Sequence, residues 1–355
     1  MEMDYEGFSY PVVNKELCVE CGMCMSHCPI LTPKIKKEIL KKSYACFSRN
    51  DEVRTQSSSG GVFTHLAKHI IEKGGIVVGA GFDDQFNVNH IIIDNIEDLE
   101  KLRGSKYVQS RIGNIYSSIK KYLTDGVLVY FSGTPCQIDG LLAYLDKDYH
   151  NLICQDVVCH GVPSPKIWQK YLQTKKIDKN TKINFRDKEY GWERFTLSIH
   201  NNEFKDIQNK LNNAYLRAFL LDYSLRPSCY DCQSKSIDRN SDITLADFWG
   251  IKKIDKKMDD DKGTSLVLLN TDKGKELFYS IKNELIYKET DFNESIADNS
   301  YIIKSAIKPK KRDEFFDDIF MNDFDSVVFN IIKISTLKRV KDKLIRDFKN
   351  FFKLH

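Results

Sequence analysis

Short apolar runs alternate along the chain with stretches whose apolar residues recur at three- and four-residue steps, the marks of buried strands and amphipathic helices. Val62 to Glu72 carries helical spacing, and Gly74-Gly75 directly after it predicts a helix stop. Ile76 to Ala80 reads as a short strand and Val88 to Ile93 as its partner. Ile112 to Leu123 is then helical, Val127 to Phe131 a buried strand, and Ile138 to Leu145 helical again. Leu152 to Val158 reads as a strand and Lys166 to Leu172 as a helix. This alternation predicts an α/β fold with a mainly parallel sheet and helices packed on it. Beyond it, Thr181 to Phe204 is β-rich, Asn213 to Leu221 helical, and Ile243 to Phe248 and Ser265 to Asn270 are later strands.

The pattern divides the chain in three. Residues 1–35 hold too little apolar material for a core and read as a loop-rich module, followed by a lysine-rich connector from Lys34 to Lys42. Residues 36–300 form the body. The run Lys308 to Arg312 marks the entry to a basic, helical extension spanning 301–355. A hydrophobic fraction of 41% with 12% aromatics excludes a disordered or fibrous chain. Nothing approaches the roughly 18 uninterrupted apolar residues of a membrane span. Acids stand at the N-terminus where a secretory signal would be basic, so the expected location is cytoplasmic.

Net charge is +4, yet Leu337 to His355 alone contributes +5. With no basic stripe through the body, nucleic acid is not an expected partner. In the tail, Leu337, Val340, Leu344, Phe348 and Phe351 fall at helical steps among lysines and arginines. Residues 337–355 therefore fit peripheral contact with an anionic membrane, or equally a terminal helix packed on the body.

Ten cysteines in a reducing compartment point to metal binding or redox chemistry rather than disulfides. Cys18, Cys21, Cys24 and Cys28, followed by Pro29, form C-x₂-C-x₂-C-x₃-C-P. That spacing lets a short loop wrap thiolates around a [4Fe–4S] cube, with Gly22 permitting close backbone approach. In two-cluster ferredoxins the fourth cysteine of such a run serves the other cluster, and here one copy is present. Cys28 bends back to the first cube, or a distant thiol such as Cys46 completes it, or the N-terminus as given lacks a first motif.

In the body, Ser57, Ser58, Ser59, Gly60 and Gly61 stand just before a helix, where free N–H groups can meet an anion such as a cofactor phosphate; a plain N-cap is the competing reading. Gly104, Ser105, Lys106, Tyr107, Gln109 and Ser110 belong to a second polar loop with a cation. Gly133 and Thr134, with Cys136 two residues on, lie between a strand and a helix, where α/β sheets place ligands. Cys159 and His160 follow the next strand in the same way, so Cys136 and Cys159 are expected to be neighbours, and the pair Cys229/Cys232 could bring the group to four. His160 could move a proton near neutral pH, or make a structural hydrogen bond. Arg186, Lys188 and Trp192 could face a substrate, or form an ion pair and a core tryptophan.

GTPCQ, CHGVPSP, the stretch Phe185 to Trp192, RPSCYDC and DITLADFWG together resemble the family of coenzyme F-420 hydrogenase/dehydrogenase beta subunits, over about residues 5 to 275. The resemblance implies a flavin- and iron–sulfur-dependent oxidoreductase passing electrons between [4Fe–4S] clusters and FAD. Hydride would be exchanged with a small-molecule substrate or with the deazaflavin F-420, and electrons with a redox partner such as ferredoxin. Bacterial relatives of this form occur with polysaccharide-synthesis proteins.

Carried onto this chain, it makes Cys136, Cys159, Cys229 and Cys232 the ligands of a body cluster and the two polar loops flavin contacts. Cys46 and Cys154 stand where the family has no cysteine and read as core thiols. Asp4 to Pro11 matches the stretch that normally separates two cysteine motifs, so the first motif is expected to be missing from the sequence as given. A non-enzymatic electron carrier and a structural zinc–thiolate protein are the alternatives.

Overall fold

A computed structural model describes residues 1–33 and 39–333. Near the N-terminus β1 (Glu2–Met3) and β2 (Ser9–Tyr10) pair antiparallel. Then come β3 (Lys42–Ser48), β4 (Ile76–Phe82), β5 (Val88–Ile93), β6 (Val129–Gly133) and β7 (Leu152–Val157). β8 (Lys182–Asp187), β9 (Thr196–His200) and β10 (Lys205–Asn209) form a separate antiparallel sheet. β11 (Ile243–Asp247), β12 (Ser265–Leu269) and β13 (Leu285–Thr290) return to the main sheet.

That eight-stranded sheet has the order β13-β3-β12-β11-β7-β6-β4-β5. Its centre, β11-β7-β6-β4, is parallel throughout, in keeping with the expected α/β class. Antiparallel strands extend it on both sides.

Successive residues of a strand face opposite sides, and the two cores divide accordingly. Val77, Tyr130 and Ile153 face the helices Val62–Glu72 and Asp272–Ser280 through Leu66, Ile70 and Phe278. Val78, Phe131, Leu152 and Cys154 face the helices Ile115–Thr124 and Pro135–Leu145 through Ile119 and Leu141. A third core joins the small sheet to the N-terminal segment and the last helices, with Phe8, Trp168, Phe185, Tyr215 and Phe315 all buried.

The helix Val62–Glu72 has the bounds its sequence predicts, between Gly61 and Gly74, both at positive φ. The helix predicted from Ile112 starts at Ile115, because Gly113 turns the chain at φ 52°. Another begins at Pro135, three residues before the apolar pattern, since Thr134 and Gln137 form a capping box and Pro135 suits the first helical position. β3 and β13 escaped the pattern reading. β3 is buried along nearly its whole length and so shows no alternation, while β13 buries only its first residue.

Cys46 and Cys154 are core residues, 0% and 2% exposed, and burial pushes both thiols well up. Enclosed in β3, Cys46 is not placed to complete an N-terminal cluster. Residues 337–355, read as a basic amphipathic tail, lie outside the described residues. Among the described residues no helix is long and apolar enough to cross a membrane.

Candidate functional site

A cavity of about 850 Å³ opens beyond the carboxyl ends of the central strands, the position α/β sheets favour for ligands. Most of the candidate binding residues line it: Ser57, Ser58, Ser59 and Gly61 from one loop, Gly104 to Tyr107 and Ser110 from another, and Gly133 and Thr134 from the end of β6. Cys159 and His160, after β7, complete the wall.

Two candidates serve the wall from behind. Gly60 packs on the sheet, where a Cβ would come within 2.3 Å of the Cys46 carbonyl; its own N–H donates to Ser265 Oγ at 2.9 Å. Gln109 donates its backbone N–H to Pro163 O at 3.0 Å.

The loops are tied to each other. Ser105 N–H donates to Ser58 Oγ at 2.8 Å, and Ser59 Oγ donates to Thr264 O at 3.0 Å. Lys188 Nζ donates to the carbonyls of Arg54, Ser59 and Lys262 at 2.7, 2.7 and 2.8 Å. Burial pushes this amine down to about 7, helped by the charges of Arg186 and Arg54.

Lys106 Nζ donates to the Lys101 and Arg103 carbonyls at 2.9 and 3.0 Å. Half-buried as a residue, it has its amine desolvated by the surrounding loop and pushed down to about 7. No carboxylate offsets that charge among the described residues.

His90 Nε2 lies 3.1 Å from Ser132 O and Nδ1 2.6 Å from Ser110 Oγ. Burial holds the ring's pKa down to about 4. Neutral at pH 7, the ring donates from Nε2 to the carbonyl and accepts the Ser110 hydroxyl proton at Nδ1.

His160 Nε2 donates to Asp222 Oδ1 at 2.5 Å, and its ring stacks on Tyr301 with centroids 4.4 Å apart. Arg186 pairs with Asp247 at 2.5 Å. Trp192, 3% exposed, stacks on Trp249 at 4.5 Å and donates Nε1–H to Asp247 Oδ1 at 3.2 Å. Trp192 is thus a buried tryptophan held by protein partners, while Arg186 is paired to Asp247 and also lines the cavity.

The body cysteines gather behind the cavity wall. Cys136 sits in the first turn of its helix, with Thr134 Oγ1 3.1 Å from its Sγ. Cys159 follows β7; Cys229 lies in the turn Pro227–Asp231, with Cys232 just after it. A Cβ on Gly161 would be 3.3 Å from Cys229 Cβ, which sets these two loops against each other. Cys136 is exposed as a residue, yet the protein around its sulfur desolvates it and raises its pKa, with Cys232 adding to the rise. Desolvation also raises Cys159, followed by the charge of Cys136, and pushes Cys229 up to about 11.

Among the described residues no group of three His, Cys, Asp or Glu side chains is close enough to hold one metal ion.

The N-terminal motif is built differently. Gly22 turns at φ 71° into the four-residue helix Met23–Ser26, which buries none of its residues. Cys18, Cys21 and Cys24 are exposed and Cys28 is half-buried.

Sequence reasoning missed Asp222, Tyr301 and the role of Lys188, and quoted the DITLADFWG stretch without giving its Trp249 a place at the cavity, which Trp249 lines. Asp222 and Lys188 reach the site through contacts with residues far away in the chain, which leaves no local signal.

A strand-end cavity, a cysteine group beside it and a second cysteine run on the surface define an α/β iron–sulfur redox protein. Comparison with known families agrees. Residues 11–32 match a 4Fe-4S binding domain, residues 43–115 the N-terminal part of "Coenzyme F420 hydrogenase/dehydrogenase, beta subunit", and residues 127–295 its C-terminal part. The chain belongs to the family of coenzyme F420 hydrogenase/dehydrogenase beta subunits, an oxidoreductase family. It is 26% identical over 219 residues to an F(420)H(2) dehydrogenase subunit of Methanosarcina mazei, covering 56% of this chain and 58% of the relative. It therefore spans little more than half the length of that relative. It is also similar to a chain of the F420-reducing [NiFe] hydrogenase complex from Methanosarcina barkeri, with TM-score 0.49 and 16% identity, over 75% of this chain and 93% of that one.

Proposed function

We propose that this protein is an iron–sulfur flavoprotein that passes electrons between [4Fe–4S] clusters and FAD and exchanges hydride with a small-molecule substrate or a deazaflavin. The observation that carries this reading is the convergence on one cavity of residues from four separated stretches, within 57–61, 104–110, 133–134 and 159–160. The residues fit the cofactor. The loop end offers the desolvated, uncompensated ammonium of Lys106 to a phosphate, while Phe195, Phe219, Leu245 and Val162 supply apolar wall for a ring system. Cys136, Cys159, Cys229 and Cys232 would hold the body cluster, and Cys18, Cys21, Cys24 and Cys28 the N-terminal one. When bound, FAD exchanges one or two electrons and a cube exchanges one, so together they join single-electron carriers to hydride chemistry.

The chain's own residues orient and protonate. Ser58 and Ser105 fix the loop that receives the phosphates, and Lys188 anchors that loop to the body. His90 holds Ser110 as a hydrogen-bond acceptor toward the cavity. His160, steadied by Asp222 at Nε2, keeps Nδ1 for proton exchange with the substrate. The exposed N-terminal motif would meet a partner electron-transfer protein, and a setting in polysaccharide biosynthesis belongs to the same proposal.

Anaerobic purification tests the reading. Flavin absorbance with a broad iron–sulfur shoulder is expected, with about eight irons per chain if both motifs load. A colourless protein with stoichiometric zinc overturns it, and a brown protein without flavin reduces it to an electron carrier.

A further inference from the structure

We propose that Lys235 sets the reduction potential of the body cluster, and so biases the direction in which electrons cross between that cluster and the cavity. The inference rests on ligation of a [4Fe–4S] cube by Cys136, Cys159, Cys229 and Cys232.

Lys235 follows Cys232 by three residues and is half-buried. Its Nζ donates to the backbone carbonyl of Cys159 and, at 2.8 Å, to that of Tyr301; it also lies 5.1 Å from the centre of the Tyr301 ring. Burial lowers its pKa, against which the nearby Cys159, Cys232 and Cys229 favour its charged form. No carboxylate forms a salt bridge with it among the described residues. Arg226 donates to Ser9 O at 3.1 Å and stacks over Tyr10 at 4.2 Å, while its charge also reaches Cys229.

A cube held by four thiolates is anionic, and reduction adds one more negative charge. A cation fixed beside it stabilises the reduced form more than the oxidised form and raises the potential. Partial burial keeps solvent and salt from screening that effect. The placement adds direction. Of the four cysteines only Cys159 lines the cavity, and Lys235 grips the backbone of that residue. The cation therefore acts at the end of the cluster that faces electron exchange.

The test is a redox titration followed by electron paramagnetic resonance on the full-length chain. A Cys18→Ser, Cys21→Ser, Cys24→Ser background silences the N-terminal motif so that one cluster is observed. In that background Lys235→Gln removes the charge while keeping N–H donors for the two carbonyls, and Lys235→Arg keeps the charge. A more negative midpoint is expected for Lys235→Gln, with Lys235→Arg at the parental value. An unchanged midpoint in Lys235→Gln, or an equal shift in both, overturns the inference. Incomplete loading does not blur the result, because the signal reports only molecules that hold a cluster. Iron analysis of Cys229→Ser in the same background separates the two ideas: undiminished iron removes the ligation reading itself.

Discussion

An ammonium held away from water without a carboxylate favours losing its proton, and Lys106 is in that position. Its pKa falls from 10.5 to about 7 because the folded loop desolvates it. The unfolded chain therefore binds more protons between roughly pH 7 and 10.5, and this group's effect is that stability rises with pH across that window. A phosphate beside the amine would restore its proton. FAD affinity is accordingly expected to fall by up to about tenfold per pH unit above pH 7, read by flavin fluorescence titration. Lys106→Met should bind FAD more weakly at pH 7 and lose that slope. An unaltered slope in Lys106→Met would remove the residue from the phosphate site. His160 makes a second residue-scale case. His160→Gln should retain iron and flavin while lowering turnover about 10²-fold or more, as for loss of a general acid–base group. Equal turnover in the variant would leave the ring a structural hydrogen-bonding group.

At the scale of elements, the loop before Val62 depends on how closely it lies on the sheet. Gly60 has backbone of β3 and β12 within 2.3 to 3.0 Å of where a Cβ would stand. Gly60→Ala is expected to cost about 1–3 kcal/mol, as overpacking does, seen as a lower denaturation midpoint. It should also weaken flavin binding by displacing Ser58 and Ser59. Such loops are legible in sequence because the glycines, caps and apolar steps that make them are local. The capping box of Thr134 and Gln137 and the stop at Gly74 are of this kind. The partners that complete the site are not local: Lys188 reaches Arg54 across 134 positions and His160 reaches Asp222 across 62. Aspartate and lysine at those distances look like ordinary surface charge until the sheet brings them in. β3 was hidden for a related reason, since a strand enclosed on both faces has no polar alternation to reveal it.

For the whole molecule, the decisive tie is between the two ends of the described chain. Arg312 donates to both Glu6 carboxylate oxygens at 2.6 Å, to Leu225 O at 2.7 Å and to Tyr230 OH at 2.9 Å. Both charged side chains are nearly enclosed, at 2% and 6% exposure. Removing one partner of such a pair leaves a buried charge, so Glu6→Ala should cost about 3–5 kcal/mol. The loss would be read as earlier thermal unfolding, with faster proteolysis within residues 11–33. Tyr230 stands between Cys229 and Cys232, so the same guanidinium braces the N-terminal segment and the turn that carries two body cysteines. Glu6 and Arg312 are 306 positions apart. On the ribosome, Glu6 is made early and must wait for most of the chain before its counter-charge emerges. Until then the cysteine run from Cys18 to Cys28 hangs from an unfastened segment.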